Sequence, residues 1–124
     1  LSLGVRLMLL TDGEKGAYAV DQVKRVSQPA FRVESIDPTG AGDAFCAGIM
    51  DVMIRRGIRK DLVGDLPPPL MIDLLERGQA AGAACVGAVG TTTGVTADRV
   101  DEIVRLQGEG LRRTTALSYR AKGT

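Results

Sequence analysis

The patterning of this chain predicts an α/β fold, a mostly parallel sheet flanked by helices, on three observations. Residues 5–10 (VRLMLL) form an unbroken apolar run of strand length, the pattern of a central parallel strand covered on both faces. A glycine turn at residues 37–45 stands between a β-branched, alternating run and an Ala-rich apolar run, so strand gives way to helix there. Two later stretches repeat apolar residues at helical spacing.

Taken in order, residues 5–10 are the first strand, residues 11–16 (TDGEKG) break it with turn residues, and residues 17–20 resume as a second. Residues 21–26 and 31–36 read as two further short strands on either side of Pro29, which marks an irregular or edge position. After Gly42, Phe45, Ile49, Val52 and Met53 form a stripe for packing against the sheet. Arg55 and Arg56 suit the negative end of that helix before Gly57 stops it. Residues 61–69, with three consecutive prolines, are expected to be a loop.

Leu70, Leu74, Gly78, Ala81 and Cys85 set out a second helix over residues 70–86. Its second half is small (Ala80, Ala81, Gly82, Ala83, Ala84), as close helix-to-sheet packing requires. Residues 87–94 (GAVGTTTG) are a loop, and Thr96 is placed to cap a last helix with Val100, Ile103, Val104 and Leu106 as its apolar face. From Gly108 the chain turns basic and loses periodicity. The expected division is residues 1–107 as the folded portion and 108–124 as a flexible tail.

Chemistry concentrates at Asp37-Pro38-Thr39-Gly40-Ala41-Gly42-Asp43-Ala44-Phe45. Gly40 and Gly42 lack Cβ atoms, so an anion can come close to the main chain. The amides there also open a helix, lack intrahelical partners and sit at the positive end of its dipole. Asp43 is comfortable in a first helical turn yet repels a phosphate bound beside it. A carboxylate beside such a cradle can take the proton of an attacking hydroxyl while the amides receive transition-state charge. The plain alternative is a tight turn with ordinary helix-start residues. A Walker A loop would need Lys-Ser/Thr where Asp43-Ala44 follow Gly42, and a dinucleotide fingerprint would need a third glycine where Phe45 stands.

Composition removes several function classes. Sixteen basic and fifteen acidic residues give a net charge of +1, and 3 % aromatic content leaves few stacking platforms, so nucleic acid is not an expected partner. No apolar run has the length of a membrane span, and no basic-then-apolar leader opens the chain. Cys46 and Cys85 lie in Ala/Gly-rich contexts without CxxC spacing, which predicts two buried thiols in a reducing cytoplasm. With no histidine, His-dependent triads and common zinc sites are excluded.

The string from Asp37 to Phe45 resembles the C-terminal signature of the ribokinase-like, or PfkB, family of carbohydrate kinases. Pro38 stands where Thr or Ser is more usual and fixes φ just before the turn. The resemblance covers about residues 5–106. It implies the C-terminal portion of a ribokinase-like fold and ATP-dependent transfer of a phosphoryl group to a sugar hydroxyl, with Asp43 as general base and Gly40, Ala41 and Gly42 as the anion hole. It further implies that Thr11, Gly13 and Gly16 meet the nucleotide phosphates, that Gln79 lines the adenine side, and that Mg²⁺ bridges the phosphates.

A monovalent cation, K⁺ in many members, would be bound through Asp37, Thr39, Cys85, Ala88, Gly90 and Gly94. Gly94 stands where some relatives carry Ser, which implies one ligand fewer. The sugar-recognition residues of the family lie upstream of its C-terminal signature, so the expected partners are a sugar and an adenine nucleotide, with oligomer formation through a missing upstream half. A truncated, non-catalytic nucleotide-binding or interaction module is the competing expectation, and a nucleoside kinase is a third.

Overall fold

The structure, a computed structural model, describes residues 6–11, 15–32, 40–59, 66–86 and 97–119. Three strands, β1 (Leu7–Thr11), β2 (Ala17–Asp21) and β3 (Lys24–Gln28), precede three helices, α1 (Ala41–Arg55), α2 (Pro68–Val86) and α3 (Ala97–Thr114), and a last strand, β4 (Ala116–Tyr119). The sheet order is β1-β2-β3-β4.

Every pairing in this sheet is antiparallel, which overturns the mostly parallel sheet expected from sequence. The reason is connection length. β1 and β2 are separated by residues 12–16 and β2 and β3 by Gln22 and Val23 alone, whereas parallel neighbours need a crossover of about a dozen residues or more. Among the described strands β1 accordingly lies at the edge of the sheet and not at its centre. The expected strand at residues 21–26 contains that two-residue turn. Its cause is Asp21, whose carboxylate accepts hydrogen bonds from the Val23 N–H (2.8 Å), the Lys24 N–H (2.7 Å) and Lys24 Nζ (2.6 Å). Burial alone would raise the Asp21 pKa. The Lys24 side chain, the two N–H groups and the lysine charge outweigh it, and the pKa lies below the usual carboxylate range. Phe31 and Arg32 lie outside any strand, and the rest of the expected strand at 31–36 falls outside the described residues.

Ala17, Ala19 and Val26 face the helices and form a core with Phe45, Ile49, Met71, Leu74 and Leu75. Met71, Leu74 and Leu75 are fully buried, and each such side chain contributes about 1.5–3 kcal/mol of transfer free energy. On the other face of the sheet Arg25 lies over the Tyr18 ring, 4.4 Å from its centroid. A second cluster joins the small residues of α2 to Phe31, Ala44 of α1, and Val100, Ile103 and Leu111 of α3.

The small residues of α2 serve helix–helix packing, and α2 also comes close to β2 and β3. A Cβ on Gly48 would stand 2.6 Å from the Arg77 carbonyl oxygen, and one on Gly78 would stand 3.0 Å from Ile49 Cγ1 and the Phe45 ring. This crossing fixes α1 against α2. α1 ends where expected: the Gly57 N–H reaches the Ile54 carbonyl (3.2 Å) and the Ile58 N–H reaches Met53 (2.9 Å), with Gly57 at φ 62°. Pro68 and Pro69, assigned to a loop from sequence, instead start α2, because the first helical amides have no partner to lose.

Three further expectations change. Cys46 is exposed on α1, while Cys85 is buried as expected. Leu106 is exposed and Leu111 takes a place in the core. The segment from residue 108 onward holds the last turns of α3, and β4 then pairs with β3. Gly108 does not stop the helix because it is buried against Val104 and Glu76, where a larger residue would crowd.

Candidate functional site

The turn that opens α1 begins at Gly40, whose φ of 81° and ψ of 3° place it in the left-handed region where glycine is favoured. The Ala44 N–H bonds the Gly40 carbonyl at 2.9 Å, so the amides of Ala41, Gly42 and Asp43 precede the first intrahelical bond. Among the described residues no side chain caps them. Gly42 is exposed, and a Cβ there would meet nothing within 4 Å. Among the described residues nothing covers these amides, and their place at the positive end of a fifteen-residue helix fits an anion such as a phosphate. Asp43 is exposed in the same turn.

α2 runs beside this turn: a Cβ on Gly82 would lie 3.4 Å from the Ala41 carbonyl oxygen. One helical turn earlier, Gln79 is buried, and its Nε2 donates to Gln28 Oε1 (2.7 Å) and to the Pro29 carbonyl (3.0 Å). Gly16 is at φ 107°, where a Cβ would come within 2.0 Å of the Gln28 carbonyl oxygen. Gly16, Gln28 and Gln79 thus meet in one place, and Gly82 links that place to the start of α1. Thr11 is exposed at the end of β1, opposite Ala17. Of the residues expected to hold a monovalent cation, Cys85 is buried in α2. Asp37, Thr39, Ala88, Gly90 and Gly94, like Gly13 of the phosphate loop, lie outside the described residues.

Sequence reasoning missed the polar groups that organise this region. Gln28 is buried at the end of β3 with its Nε2 unpartnered among the described residues, and its only signal was a polar residue at an inward strand position. Glu76 is buried in α2 and receives Arg112 of α3 in a two-point ion pair, with Nη2 to Oε1 at 2.8 Å and Nε to Oε2. The Glu76 hydrogen bond is the main cause that raises the Arg112 pKa above its usual value. At the end of α1 away from the turn, a cleft of about 250 Å³ is lined by Arg55, Arg56, Arg77 and Arg112 among others. Each of these guanidinium groups faces a carboxylate, Asp51, Asp73, Asp101 and Glu76 in turn. That cleft is a closed ion-pair network.

Residues 1–98 match the family model described as pfkB family carbohydrate kinase. Over 93 residues the chain is 36 % identical to a fructokinase of Salmonella thompson, covering 75 % of this chain and 39 % of that protein. It is equally similar over 93 residues to a fructokinase of Salmonella typhimurium, of which it covers 28 %. It therefore spans about two-fifths or less of the length of these relatives. Among solved structures, the aminoimidazole riboside kinase from Salmonella enterica, complexed with aminoimidazole riboside and an ATP analog, superposes with a TM-score of 0.69 at 27 % identity, over 82 % of this chain and 32 % of that one. The Vibrio cholerae fructokinase in its fructose, ADP and calcium ion bound form gives a TM-score of 0.66 at 23 % identity, over 80 % and 30 %. The fold is ribokinase-like, and with about four-fifths of its length inside the family match the chain belongs to the pfkB family of carbohydrate kinases.

Proposed function

We propose that this chain is the nucleotide-binding, C-terminal portion of an ATP-dependent kinase that transfers the γ-phosphoryl group to a sugar hydroxyl. The observation that carries the proposal is the start of α1: three amides without intrahelical partners, open space above Gly42, and the exposed Asp43 carboxylate in one turn. The amides of Ala41, Gly42 and Asp43 hold the transferred phosphoryl group and take up its developing charge. Asp43 accepts the proton of the attacking hydroxyl. Mg²⁺ carried on the nucleotide phosphates supplies further charge neutralisation. Fructose is the first sugar to test, because the Salmonella relatives are fructokinases.

The short span relative to those proteins favours a second reading for the chain by itself, that of a nucleotide-binding module without turnover. Positioning of the substrate supplies much of the catalysis of phosphoryl transfer, and a cradle with a base does not supply it alone. The test replaces the matching segment of the S. typhimurium fructokinase with this sequence and measures turnover with ATP and fructose. Asp43→Asn in that chimera should lower kcat by about 10²-fold or more with little change in nucleotide affinity. A chimera whose turnover is unchanged by Asp43→Asn would remove the carboxylate from the mechanism. Turnover by the 124-residue chain alone would remove the second reading.

A further inference from the structure

After β3, residues 29–32 lie outside the strands and are held at several points by the helices. Gln79 of α2 donates to Gln28 Oε1 and to the Pro29 carbonyl. Phe31 is buried in the cluster that contains Ala44, the residue whose N–H closes the first bond of α1. Gln107 of α3 then takes both backbone groups of Arg32: the Arg32 N–H donates to Gln107 Oε1 at 2.7 Å, and Gln107 Nε2 donates to the Arg32 carbonyl at 2.7 Å. A carboxamide that pairs with the N–H and C=O of one residue reproduces what a neighbouring strand would give it. Gly40 follows eight positions later.

Gln107 is itself held in place. The Arg112 pair with Glu76 ties the following turn of α3 to α2, and β4 pairs with β3 immediately upstream of the gripped segment. Gln107, Arg112 and β4 all lie beyond residue 98, outside the family match.

We propose that Gln79 and Gln107 form a two-point carboxamide clasp that positions the chain entering the phosphate turn, with Gln107 as a positioning residue for nucleotide binding. The functional half of this proposal rests on the reading of the turn at Gly40 as a phosphate site; the structural half does not. It assigns work to the C-terminal part of α3 and gives Gln79 a partner other than the base of a nucleotide. A lost clasp should leave the helices assembled, because Gln107 is only half-buried, while the amides at the start of α1 exchange more freely.

The test compares the 124-residue chain with its Gln107→Leu, Gln107→Glu and Arg113→Ala variants by hydrogen exchange resolved to peptides, thermal unfolding and titration with the fluorescent nucleotide TNP-ATP. Arg113→Ala is the control, since among the described residues Arg113 pairs with exposed Glu109 on the same helix. Gln107→Leu removes both hydrogen bonds and should raise exchange across residues 31–44 by about tenfold or more, and weaken TNP-ATP by severalfold, with α2 peptides unchanged. Gln107→Glu keeps the acceptor for the Arg32 N–H but presents a carboxylate to its carbonyl, and should fall between parent and Gln107→Leu. Unchanged exchange at 31–44 in Gln107→Leu, or an equal rise in every peptide, would overturn the clasp. Faster exchange at 31–44 with unaltered TNP-ATP affinity would overturn the positioning role. A parent chain that fails to bind TNP-ATP would count against the phosphate reading of the turn and against the nucleotide role of Gln107, while exchange still decides the clasp.

Discussion

Gly42→Ala separates a glycine kept for a ligand from one kept for packing. The added methyl meets no atom within 4 Å, and residue 42 lies in the first turn of α1. Alanine is favoured over glycine in a helix interior by about 1 kcal/mol, and a first-turn position should realise about half of that. With roughly 3 to 6 °C per kcal/mol for a chain of this size, the melting temperature should rise by about 2 °C. Binding should move the other way. The methyl occupies the space a phosphate needs to reach the amides, and loss of one hydrogen bond to a charged group costs about 1.5–3 kcal/mol, or about 10- to 100-fold. The assays are thermal unfolding of the chain and kcat/KM for ATP in the fructokinase chimera. Gly110→Ala is the control, also free of contacts within 4 Å but in α3, and should stabilise without touching kcat/KM. A Gly42→Ala chain that melts several degrees lower would show that the space is not open. Unchanged kcat/KM would show that no anion comes close there.

Gly48→Ala should do the opposite to stability. The Cβ would sit 2.6 Å from the Arg77 carbonyl oxygen and 2.9 Å from the Gly78 Cα, and overpacking of about 1–3 kcal/mol or more against the α2 backbone outweighs the propensity gain of about 1 kcal/mol, so urea unfolding should shift to lower concentration. Asp21 predicts an acid limit. Its pKa is lower folded than unfolded, so its stabilising contribution is complete above the unfolded value near 3.9 and disappears as pH falls through the lower folded value; Asp21→Asn should flatten the stability profile in that range. The two thiols should react unequally with a bulky thiol reagent under native conditions, Cys46 fast and Cys85 only on unfolding, so release of one equivalent is the expected result and of two the contrary one.

How much of this was legible in the sequence depended on whether the deciding contact was local. The turn and α1 were readable because Gly40, Gly42, Asp43, the Phe45/Ile49 stripe and the Gly57 stop are all local features. Strand direction is not legible in the apolar run at residues 5–10, which implies burial on both faces, whereas Met8 and Leu10 are exposed at the edge of the described sheet. The short connections at residues 12–16 and at Gln22–Val23 are the local feature that carries the antiparallel answer. Gly16, Gly48 and Gly78 could not be distinguished from Gly42 by sequence, since their need for a missing Cβ comes from chain segments far away. The same holds for Cys46, whose apolar neighbours in sequence are not its neighbours across the helix packing.

The contact at Gly48 and Gly78 has a consequence for how such a site can be moved between proteins. Because α1 is registered against α2 by glycines at their crossing, that helical pair shares in setting the pitch and rotation of the turn at Gly40, together with the strand residues Ala17, Ala19 and Val26 that pack against Phe45 and Ile49. Within the described residues, α1 and α2 are the pair in which that crossing is built. Grafting α1 alone onto a foreign scaffold would carry the signature without the glycine crossing, whereas grafting both helices would carry the crossing along with it.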